Sequence, residues 1–436
     1  MSNHTLTRSA LIERFETYGS PRSTWRVGGE FERAVVRPDG RPVGYDEPDG
    51  IHWLLNQLSE RFHWTPVTEG GLPIALLRDG ASVTLEPGGQ VELSGAPHAR
   101  LDALGQEMRK NREELKEITA DKDLVWIACG LTPISPISDI TWMPKGRYRL
   151  MRDYLPKRGD LAHYMMKGTC SVQANYDFSD ESDCARKVRL CAGLSPLTTA
   201  IFANSPLLEN RPTGFKSYRG HIWTRTDPDR TGFPPGLRAD FSYERWVDYL
   251  LQTPMLFRKT DLGWEDAHGM SFGHWLEHGV DGHFPSWDDW ELHQTSVFPE
   301  VRIKRTIEVR GADCVDPDMA LAFCALFTGL LYCNNALDEA LDLVAEIERY
   351  GTRPERFDIA CRDGLEGNIG PRPLADWASD LGDIADRGIK NCLPEDRHMI
   401  DPLLARIEAG QSPADELLEA WHRDPTPEAI IAALTY

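Results

Sequence analysis

Residues 25–36 read WRVGGEFERAVV, a stretch in which apolar and charged residues alternate as they do along a β-strand. The turn sequence PDG at 38–40 ends the predicted strand. Because side chains of a strand alternate between its faces, Glu30 and Glu32 project from one face, about 7 Å apart. Their charges repel unless a cation lies between them, and Mg²⁺ accepts carboxylate oxygens. The alternative is a solvated acidic edge in a chain with 68 acidic residues.

A second acidic stretch, SVTLEPGGQVELSGAP, occupies residues 82–97. Glu86 and Glu92 are separated by an even number of residues, and small or apolar residues surround each of them. This context predicts partial burial, in which a carboxylate needs a partner. The sequence PGG at 87–89 can shift the strand register, so a β-turn with two exposed acids is the alternative.

Cations accompany a carboxylate in the stretch VRIKRTIEVRGAD at residues 301–313. The alternation predicts one strand over 301–310 with these polar side chains on one face: Arg302, Lys304, Thr306, Glu308 and Arg310. Such a face suits a metal–phosphate site, where the acid binds Mg²⁺ and arginine stabilises charge on a transferring phosphoryl group. Cross-strand ion pairing on an open face explains the same residues equally well.

Two further basic stretches are predicted to lie on loops. The sequence MPKGRY at 143–148 contains Lys145 and Arg147, and KSYRGHIW at 216–223 contains Arg219. The guanidinium of Arg219 has the geometry that binds a substrate carboxylate. Taken alone, each stretch is better explained as a surface loop.

The rest of the chain predicts a mixed fold without regular alternation of strands and helices. Helices are predicted at 101–121, at 183–202, and at 317–350 with a break near 334–335. Residues 211–290 are rich in Trp, Pro and Gly and are predicted to be mostly loop. Strands are predicted mainly before about residue 310, and helices dominate after it. We therefore predict an α+β fold with an antiparallel sheet.

Composition limits the expected partners and location. The 436 residues carry a formal net charge of −20, which repels phosphate backbones, so we expect no nucleic-acid partner. We expect no membrane contact, because no apolar run approaches spanning length. Residues 1–15 lack the apolar segment of a secretory signal, and the nine cysteines include no CxxC pair. We therefore predict a reduced, cytoplasmic protein that acts on small molecules as a monomer or homodimer.

Six stretches together resemble the plant-type glutamate–cysteine ligase family, which is also widespread in proteobacteria. They follow the family's order: GGEFER, LEPGGQVELSGAP, MPKGRYRLMRDYLPK, TCSVQANYDFSDESD, FANSPLLENRPTGFKSYRGHIWTRTDPDRTG and FPEVRIKRTIEVRGAD. The strings LEPGGQVELSGAP and HIWTRTDPDRTG are long and specific enough to exclude chance. The resemblance implies a glutamine-synthetase-like fold, in which a curved antiparallel sheet forms a funnel with flanking helices and a helical C-terminal third.

For this chain the resemblance implies one catalytic unit over 1–436. Its sheet-bearing core at 20–315 would contain the active site, and 316–436 would form a helical part packed on that core. The resemblance also implies two or three Mg²⁺ ions with these ligands: Glu30, Glu32, Glu86, Glu92, Gln173 and Glu308.

ATP is implied as the co-substrate, with Lys145, Arg147 and Arg310 binding it and Arg310 meeting the γ-phosphate. Arg219, as a clamp for a substrate carboxylate, and Lys304 complete the predicted catalytic set with Arg310. The implied reaction joins the γ-carboxyl of glutamate to the amine of L-cysteine through a γ-glutamyl phosphate. This is the first step of glutathione-type thiol biosynthesis.

Two departures from the family pattern leave the amine acceptor open. The family's EHEK reads EFER at 30–33, and the Gly-Pro-Trp stretch that commonly follows GAD is replaced by CVDP at 314–317. Phe31 is predicted to point away from the two acids, so metal binding should survive. The alternative to cysteine is another amine, which would give a different γ-glutamyl amide by the same chemistry.

Overall fold

A computed structural model describes residues 6–237 and 240–436 of the chain. Its strands are, in chain order, β1 (Val27–Val36), β2 (Thr65–Glu69), β3 (Leu72–Arg78), β4 (Ala81–Leu85), β5 (Val91–Ser94), β6 (Val125–Ile127), β7 (Ser171–Tyr176), β8 (Leu207–Leu208), β9 (Arg211–Pro212), β10 (Thr231–Gly232), β11 (Phe257–Thr260), β12 (Gly263–Asp266), β13 (Phe298–Pro299), β14 (Val301–Ile303), β15 (Ile307–Asp313), β16 (Asn368–Ile369) and β17 (Arg372–Pro373). The principal sheet has the order β14-β15-β7-β1-β5-β4-β3-β2, and β6 also pairs with β1. All its pairings are antiparallel, which confirms the predicted sheet type.

Helices occur along the whole described chain and dominate its last third. They are α1 (Arg8–Glu16), α2 (Ile51–Phe62), α3 (Leu101–Thr119), α4 (Gly146–Tyr154), α5 (Ala162–Gly168), α6 (Glu181–Ile201), α7 (Tyr218–Thr224), α8 (Tyr243–Gln252), α9 (Phe272–His278), α10 (Trp287–Gln294), α11 (Pro317–Tyr332), α12 (Asn334–Ile347), α13 (Arg353–Asp363), α14 (Leu374–Cys392), α15 (Asp401–Ala409), α16 (Pro413–Arg423) and α17 (Pro427–Leu434). The predicted α+β fold is therefore confirmed, whereas the predicted division near residue 315 stays a prediction.

The strand registers give the principal sheet one polar and one apolar face. Glu32 of β1 lies opposite Glu92 of β5, and Glu30 lies opposite Gln173 of β7. The side chains that alternate with these are buried on the other face, and they include Phe31, Val83, Leu93, Val172 and Val309. Since side chains of paired residues share a face, residues far apart in the sequence gather on the polar side.

Helices cover the apolar face. The apolar helix α11 packs against β1, β7, α3 and α14. Its Phe323 is fully buried and meets Phe202 edge to face, with ring centroids 5.2 Å apart. Burying a phenylalanine side chain stabilises a fold by about 1.5–3 kcal/mol, so this helix anchors the sheet. The predicted break is confirmed, because α11 and α12 meet at Cys333 with a bend of 99°.

Within the described ranges, no single helix has both the length and the apolar composition needed to cross a membrane. Helices α11 and α12 meet both criteria only when they are taken together, across their 99° bend.

The prediction of one strand over 301–310 is wrong. Residues 301–313 form a hairpin, in which β14 and β15 are joined by a turn closed by a hydrogen bond from the Lys304 N–H to the Thr306 carbonyl (3.1 Å). The alternation survives because Arg302 pairs with Glu308 across the hairpin. A tight turn between two strands preserves the period of two, so the pattern alone does not reveal it.

The prediction that residues 211–290 are mostly loop is also wrong. The region contains helices α7, α8 and α9 and the start of α10. Each begins after a serine whose side chain accepts a hydrogen bond from a backbone N–H three residues later: Ser217, Ser242, Ser271 and Ser286. These N-cap signals were present in the sequence but lay among glycines and prolines, which obscured them.

The predicted loop around Lys145 and Arg147 is corrected in the same way. Lys145 is the N-cap residue of α4, and Arg147 lies in the first turn of this helix. The carboxylate of Glu69 accepts the Gly146 N–H (2.7 Å), so an acid satisfies the helix N-terminus.

Candidate active site

A cavity of about 310 Å³ lies over the polar face of the sheet. All the residues that the sequence analysis assigned to the site line this cavity except Glu308: Glu30, Glu32, Glu86, Glu92, Lys145, Arg147, Gln173, Arg219, Lys304 and Arg310. The sequence analysis did not assign the aromatic walls, Trp223 of α7, Phe257 of β11 and Phe298 of β13. The sheet therefore brings the separate motifs into one site.

One end of the cavity floor is acidic, and neutral groups hold its carboxylates in place. Glu30 Oε1 accepts a hydrogen bond from Asn175 Nδ2 (2.8 Å). Glu32 Oε2 accepts the backbone N–H of Ser171 (2.5 Å), and its Oε1 accepts Gln173 Nε2 (3.3 Å). Both acids are thus oriented toward the cavity by residues of β7.

Glu92 of β5 is held in the same manner. Its Oε1 accepts the Ser94 hydroxyl (2.5 Å), and its Oε2 accepts the Thr84 hydroxyl (3.2 Å). Neither Glu92 nor the two acids of β1 has an ion-pair partner in the part of the chain that the structure describes. The acidic end therefore carries carboxylates whose charge the described chain does not neutralise by direct pairing.

Burial and mutual repulsion favour the protonated forms of these acids. Burial, followed by the charges of Glu308 and Glu92, raises the pKa of Glu30 to about 7. Burial, followed by Glu86 and Glu92, raises the pKa of Glu32 to about 8. The pKa of Glu92 is also raised, first by burial and then by Glu86. A bound cation would remove both costs at once.

The turn at 87–89 keeps Glu86 near the other acids. Gly89 has φ +92°, which glycine adopts readily, and the Glu86 N–H donates to the Gln90 carbonyl (2.9 Å). The side chain of Gln90 accepts the Gly88 N–H (2.9 Å) and donates to the Thr169 carbonyl (2.8 Å). This network explains the LEPGGQ motif and leaves Glu86 and Glu92 in one cavity.

The other end of the floor is basic and is built around Glu308. Arg302 binds the Glu308 carboxylate through two bonds, Nε to Oε2 (2.7 Å) and Nη2 to Oε1 (2.8 Å). Lys304 Nζ lies 3.4 Å from Oε2, and Arg310 Nη1 lies 2.6 Å from Oε1. Burial opposes ionisation of Glu308, but the three cations outweigh burial and hold its pKa well below the usual range.

Glu308 is fully buried beneath these cations and does not line the cavity. Its partner Arg302 also donates to the Val297 carbonyl (2.9 Å), next to the wall residue Phe298. The carboxylate therefore fixes the positions of cations that do reach the cavity. The sequence placed Glu308 on the correct face, but its ion pairs depend on the hairpin.

Arg310 and Arg219 meet where β15 is irregular. The pairing of β15 with β7 shifts register between Val309 and Ala312, and Arg310 lies in this bulge. Arg310 also donates a hydrogen bond to the side-chain oxygen of Gln173. Arg219, a residue of α7, donates to the Arg310 carbonyl (3.0 Å). Arg219 is thus anchored to the backbone of Arg310, and both side chains line the cavity.

Lys145 and Arg147 place positive charge at the opposite wall, near Glu86. The Lys145 ammonium donates to the Leu85 carbonyl (2.7 Å) and is 8% exposed. Burial, followed by repulsion from Arg147, lowers the pKa of Lys145 to about 8. These cations can therefore meet an anionic ligand from the side of the cavity that faces away from Arg310.

The sequence analysis missed Glu300, a buried acid beside Arg219 and Arg310. Burial raises the pKa of Glu300 to about 7, and the two arginines oppose that rise. Its Oε2 atom has no hydrogen-bond partner among the described residues. Extending the period of two backward from Arg302 by one step would have found it.

The sheet and its polar cavity give the protein the fold of a class of ligases. The crystal structure of glutamate–cysteine ligase from Francisella tularensis, in complex with AMP, matches with a TM-score of 0.57 at 15% identity, over 94% of this chain and 87% of that one. A bifunctional glutathione synthetase from Pasteurella multocida matches with a TM-score of 0.51 at 11% identity, over 98% of this chain and 52% of that one.

Sequence comparison identifies the family within this class. Residues 26–433 match the model of glutamate-cysteine ligase family 2 (GCS2), and the chain belongs to this family. Similar proteins include the chloroplastic glutamate–cysteine ligases of Brassica juncea (38% identity, 96% of this chain and 81% of that protein) and Arabidopsis thaliana (38%, 96% and 80%). Ligase B of Oryza sativa is 37% identical over 97% of this chain and 86% of its own length. The predicted family is confirmed.

The same comparison corrects the predicted location. The plant relatives are named as chloroplastic enzymes, which contradicts the cytoplasmic location inferred from the absence of a secretory signal. The lack of an apolar segment in residues 1–15 argued only against secretion. It does not distinguish the cytoplasm from an organelle.

Proposed function

We propose that the protein uses ATP to join the γ-carboxyl of glutamate to the amine of L-cysteine. One observation carries the proposal: carboxylates and cations that are distant in the sequence meet on one sheet face and line a single cavity. ATP and glutamate are anions that would be held between the cations and carboxylate-bound metal ions. Membership of the family supports the choice of glutamate and cysteine.

The acidic end fits Mg²⁺. Its donors are carboxylate oxygens, which Mg²⁺ prefers, and burial together with repulsion from neighbouring acids raises the pKa values of Glu30 and Glu32. We propose that Glu30, Glu32, Glu86 and Glu92 hold two or three ions. When bound, Mg²⁺ would neutralise phosphate and carboxylate oxygens and orient them for reaction.

Gln173 and Glu308 were also predicted as Mg²⁺ ligands, and both already have cationic partners. The side-chain oxygen of Gln173 accepts a hydrogen bond from Arg310, and Glu308 is surrounded by three cations. Either group would have to exchange an existing partner to bind an ion. We therefore propose that they first position the cations of the basic end.

The basic groups would hold the anionic parts of the substrates. We propose that Lys145 and Arg147 bind the phosphates of ATP and that Arg310 meets the γ-phosphate. Lys304 would stabilise charge on the transferring group. Arg219, which is buried and lines the cavity, would bind a carboxylate of an amino-acid substrate.

The reaction would have two steps. An oxygen of the glutamate γ-carboxylate attacks the γ-phosphorus of ATP and ADP leaves, which gives γ-glutamyl phosphate. The amine of cysteine, after losing a proton, then attacks the acyl carbon, and inorganic phosphate leaves as the amide forms. The acyl phosphate must be kept from water, and the aromatic walls formed by Trp223, Phe257 and Phe298 would provide this exclusion.

The test is ADP release by the purified protein with Mg²⁺, glutamate and a panel of amines, with the amide product identified by mass spectrometry. Glutamate labelled with ¹⁸O in the γ-carboxyl should transfer one labelled oxygen to phosphate, because the acyl phosphate retains that oxygen until it leaves. No turnover with any amine would defeat the proposal. Turnover with another amine but not with cysteine would replace cysteine as the acceptor.

A further inference from the structure

A buried aspartate lies directly behind the arginine that is proposed to bind a substrate carboxylate. Asp313 ends strand β15, is 1% exposed and does not line the cavity. Its Oδ1 atom is 3.8 Å from Arg219 Nη1. Asp313 is the last residue of the GAD motif at 311–313, and the reaction proposed above assigns it no role.

The same carboxylate organises the segment that carries Arg219. Its Oδ2 accepts the Asn204 N–H (2.8 Å) and the Ser205 hydroxyl (2.6 Å), and its Oδ1 accepts the hydroxyl of Ser217, the N-cap of α7 (2.9 Å). The Ser205 hydroxyl oxygen in turn accepts the backbone N–H of Arg219 (3.0 Å). Asp313 thus contacts Arg219 by charge and, through the Ser205 hydroxyl, by hydrogen bonding. Through the Ser217 hydroxyl it also supports the N-terminus of α7, the helix that carries Arg219.

The backbone at Gly130 packs closely against the Asp313 carboxylate. A Cβ atom on Gly130 would lie 2.4 Å from Asp313 Cγ, so a side chain there would displace the carboxylate. Burial raises the pKa of Asp313, and the charge of Arg219 is the strongest influence opposing that rise. The charge of Arg219 therefore favours the ionised form of Asp313.

Within the described chain, the contacts with Asp313 and Arg310 leave one N–H group of Arg219 free to bind a ligand. Nη2 donates to the Arg310 carbonyl (3.0 Å), and Nη1 faces Asp313 at 3.8 Å. Nε has no hydrogen-bond partner among the described residues, although Arg219 is 4% exposed. A buried guanidinium with an unpaired N–H on a cavity wall is poised for an anionic ligand.

We propose that Asp313 is a positioning residue, which fixes the direction of the Arg219 side chain so that this arginine can bind the carboxylate of an amino-acid substrate. The proposal rests on the ligase function and on the role of Arg219 proposed above. It assigns a purpose to Asp313 of the GAD motif and to Gly130.

The test compares Asp313→Asn with the wild type and with Asp318→Asn. Asp318 is an exposed aspartate in the first turn of α11. We expect the KM for one amino acid to rise about tenfold, the cost of weakening one charged hydrogen bond, while kcat falls less than threefold. The KM for ATP should change little. The melting temperature should fall, because the buried carboxylate accepts three hydrogen bonds, so the kinetics are measured well below it. Ser205→Ala, which removes one link between Asp313 and Arg219, should shift the same KM less.

Substrate analogues give a readout that a purely structural role would not move. Cysteamine lacks the carboxylate of cysteine, and 4-aminobutanoate lacks the α-carboxylate of glutamate. The wild type should prefer each parent amino acid to its analogue. In Asp313→Asn one of these preferences should collapse about tenfold, because the lost interaction is with that carboxylate.

A double mutant completes the test. In an Arg219→Lys background, Asp313→Asn should cause no further change in KM or in analogue preference, since the residue acts through Arg219. Additive losses, or equal losses with parent substrates and analogues, would overturn the inference. Absence of glutamate-dependent ADP release by the wild type would instead overturn the proposed function, so the two failures are distinguishable.

Discussion

Glu32, which is partly buried, and Glu308, which is fully buried, are glutamates on the polar face of one sheet, yet their surroundings are opposite. Glu32 receives hydrogen bonds from neutral groups and faces other acids, and burial followed by the charges of those acids raises its pKa to about 8. Glu308 contacts Arg302, Lys304 and Arg310, which hold its pKa well below the usual range. The sheet therefore neutralises one carboxylate itself and leaves the other to be neutralised by a ligand.

This difference assigns separate tasks to the two ends of the cavity. The acidic end lacks a counter-charge until a cation arrives, whereas Glu308 at the basic end already has its counter-charges before any substrate binds. Variants that exchange carboxylate for amide at the two ends should therefore have opposite effects on the unliganded protein. The following predictions test this contrast, beginning with the largest expected effect.

Glu308→Gln should destabilise the protein by about 3–5 kcal/mol, because it leaves the buried Arg302 and two partly buried cations without their counter-charge. The measurement is urea unfolding at pH 7.5. The matched control is Glu291→Gln, which removes an exposed ion pair with Arg305 (2.9 Å) and should change stability little. Equal stability of the Glu308 and Glu291 variants would mean that the basic end is not held together by Glu308.

Glu32→Gln should lower kcat at saturating substrates at least about 100-fold, because a ligand of the proposed Mg²⁺ ions is lost. Without metal, the same variant should be as stable as the wild type or more stable, since it removes repulsion among the acids. Steady-state kinetics across a range of Mg²⁺ concentrations, with Glu291→Gln as the control, check both points. Wild-type activity in Glu32→Gln would remove this residue from the metal site.

The metal-free protein should lose stability as the pH rises from about 6 to 9, by about 1–2 kcal/mol. The sign follows from the raised folded-state pKa values of about 7 for Glu30 and about 8 for Glu32. Protonation of these acids stabilises the fold at low pH, and that contribution is lost as pH passes through those values. Unfolding of the wild type and Glu32→Gln across this range isolates the effect, because the variant should have the smaller slope. Equal slopes would contradict the assignment.

Lys145→Met should raise the KM for ATP about tenfold with a smaller change in kcat, because one phosphate contact is lost. Lys145 is buried at the cavity wall beside Glu86 and Glu92, so its effect should be confined to nucleotide binding. Lys157→Met, at an exposed position beyond α4, is the control. A change in the KM for glutamate alone would place Lys145 with the amino acids.

The acidic end could be predicted from the sequence because it depends on local spacing. Glu30 and Glu32 differ by two residues on a strand, and Phe31 between them is 4% exposed on the apolar face, as predicted. Glu86 and Glu92 share the cavity although a turn separates them, because Gln90 closes that turn onto Thr169. Local periodicity and a specific motif were sufficient here.

The basic end could be predicted only in part, because its pairing is not local. A hairpin preserves the even spacing of Arg302 and Glu308 but places them opposite each other, which turns a predicted metal ligand into an ion-pair centre. The contacts of Asp313 with Ser205 and Ser217 join residues about a hundred positions apart, and no spacing rule reaches that far.

The most direct test of the contrast is a calorimetric Mg²⁺ titration at pH 8 of the wild type, Glu32→Gln and Glu291→Gln. We predict that the wild type and Glu291→Gln bind Mg²⁺ with the same affinity and that Glu32→Gln binds at least about tenfold more weakly. Equal affinity in all three proteins would mean that the acidic end does not hold the ions. The assignment of metal binding to the acidic end and anion binding to the basic end would then be wrong.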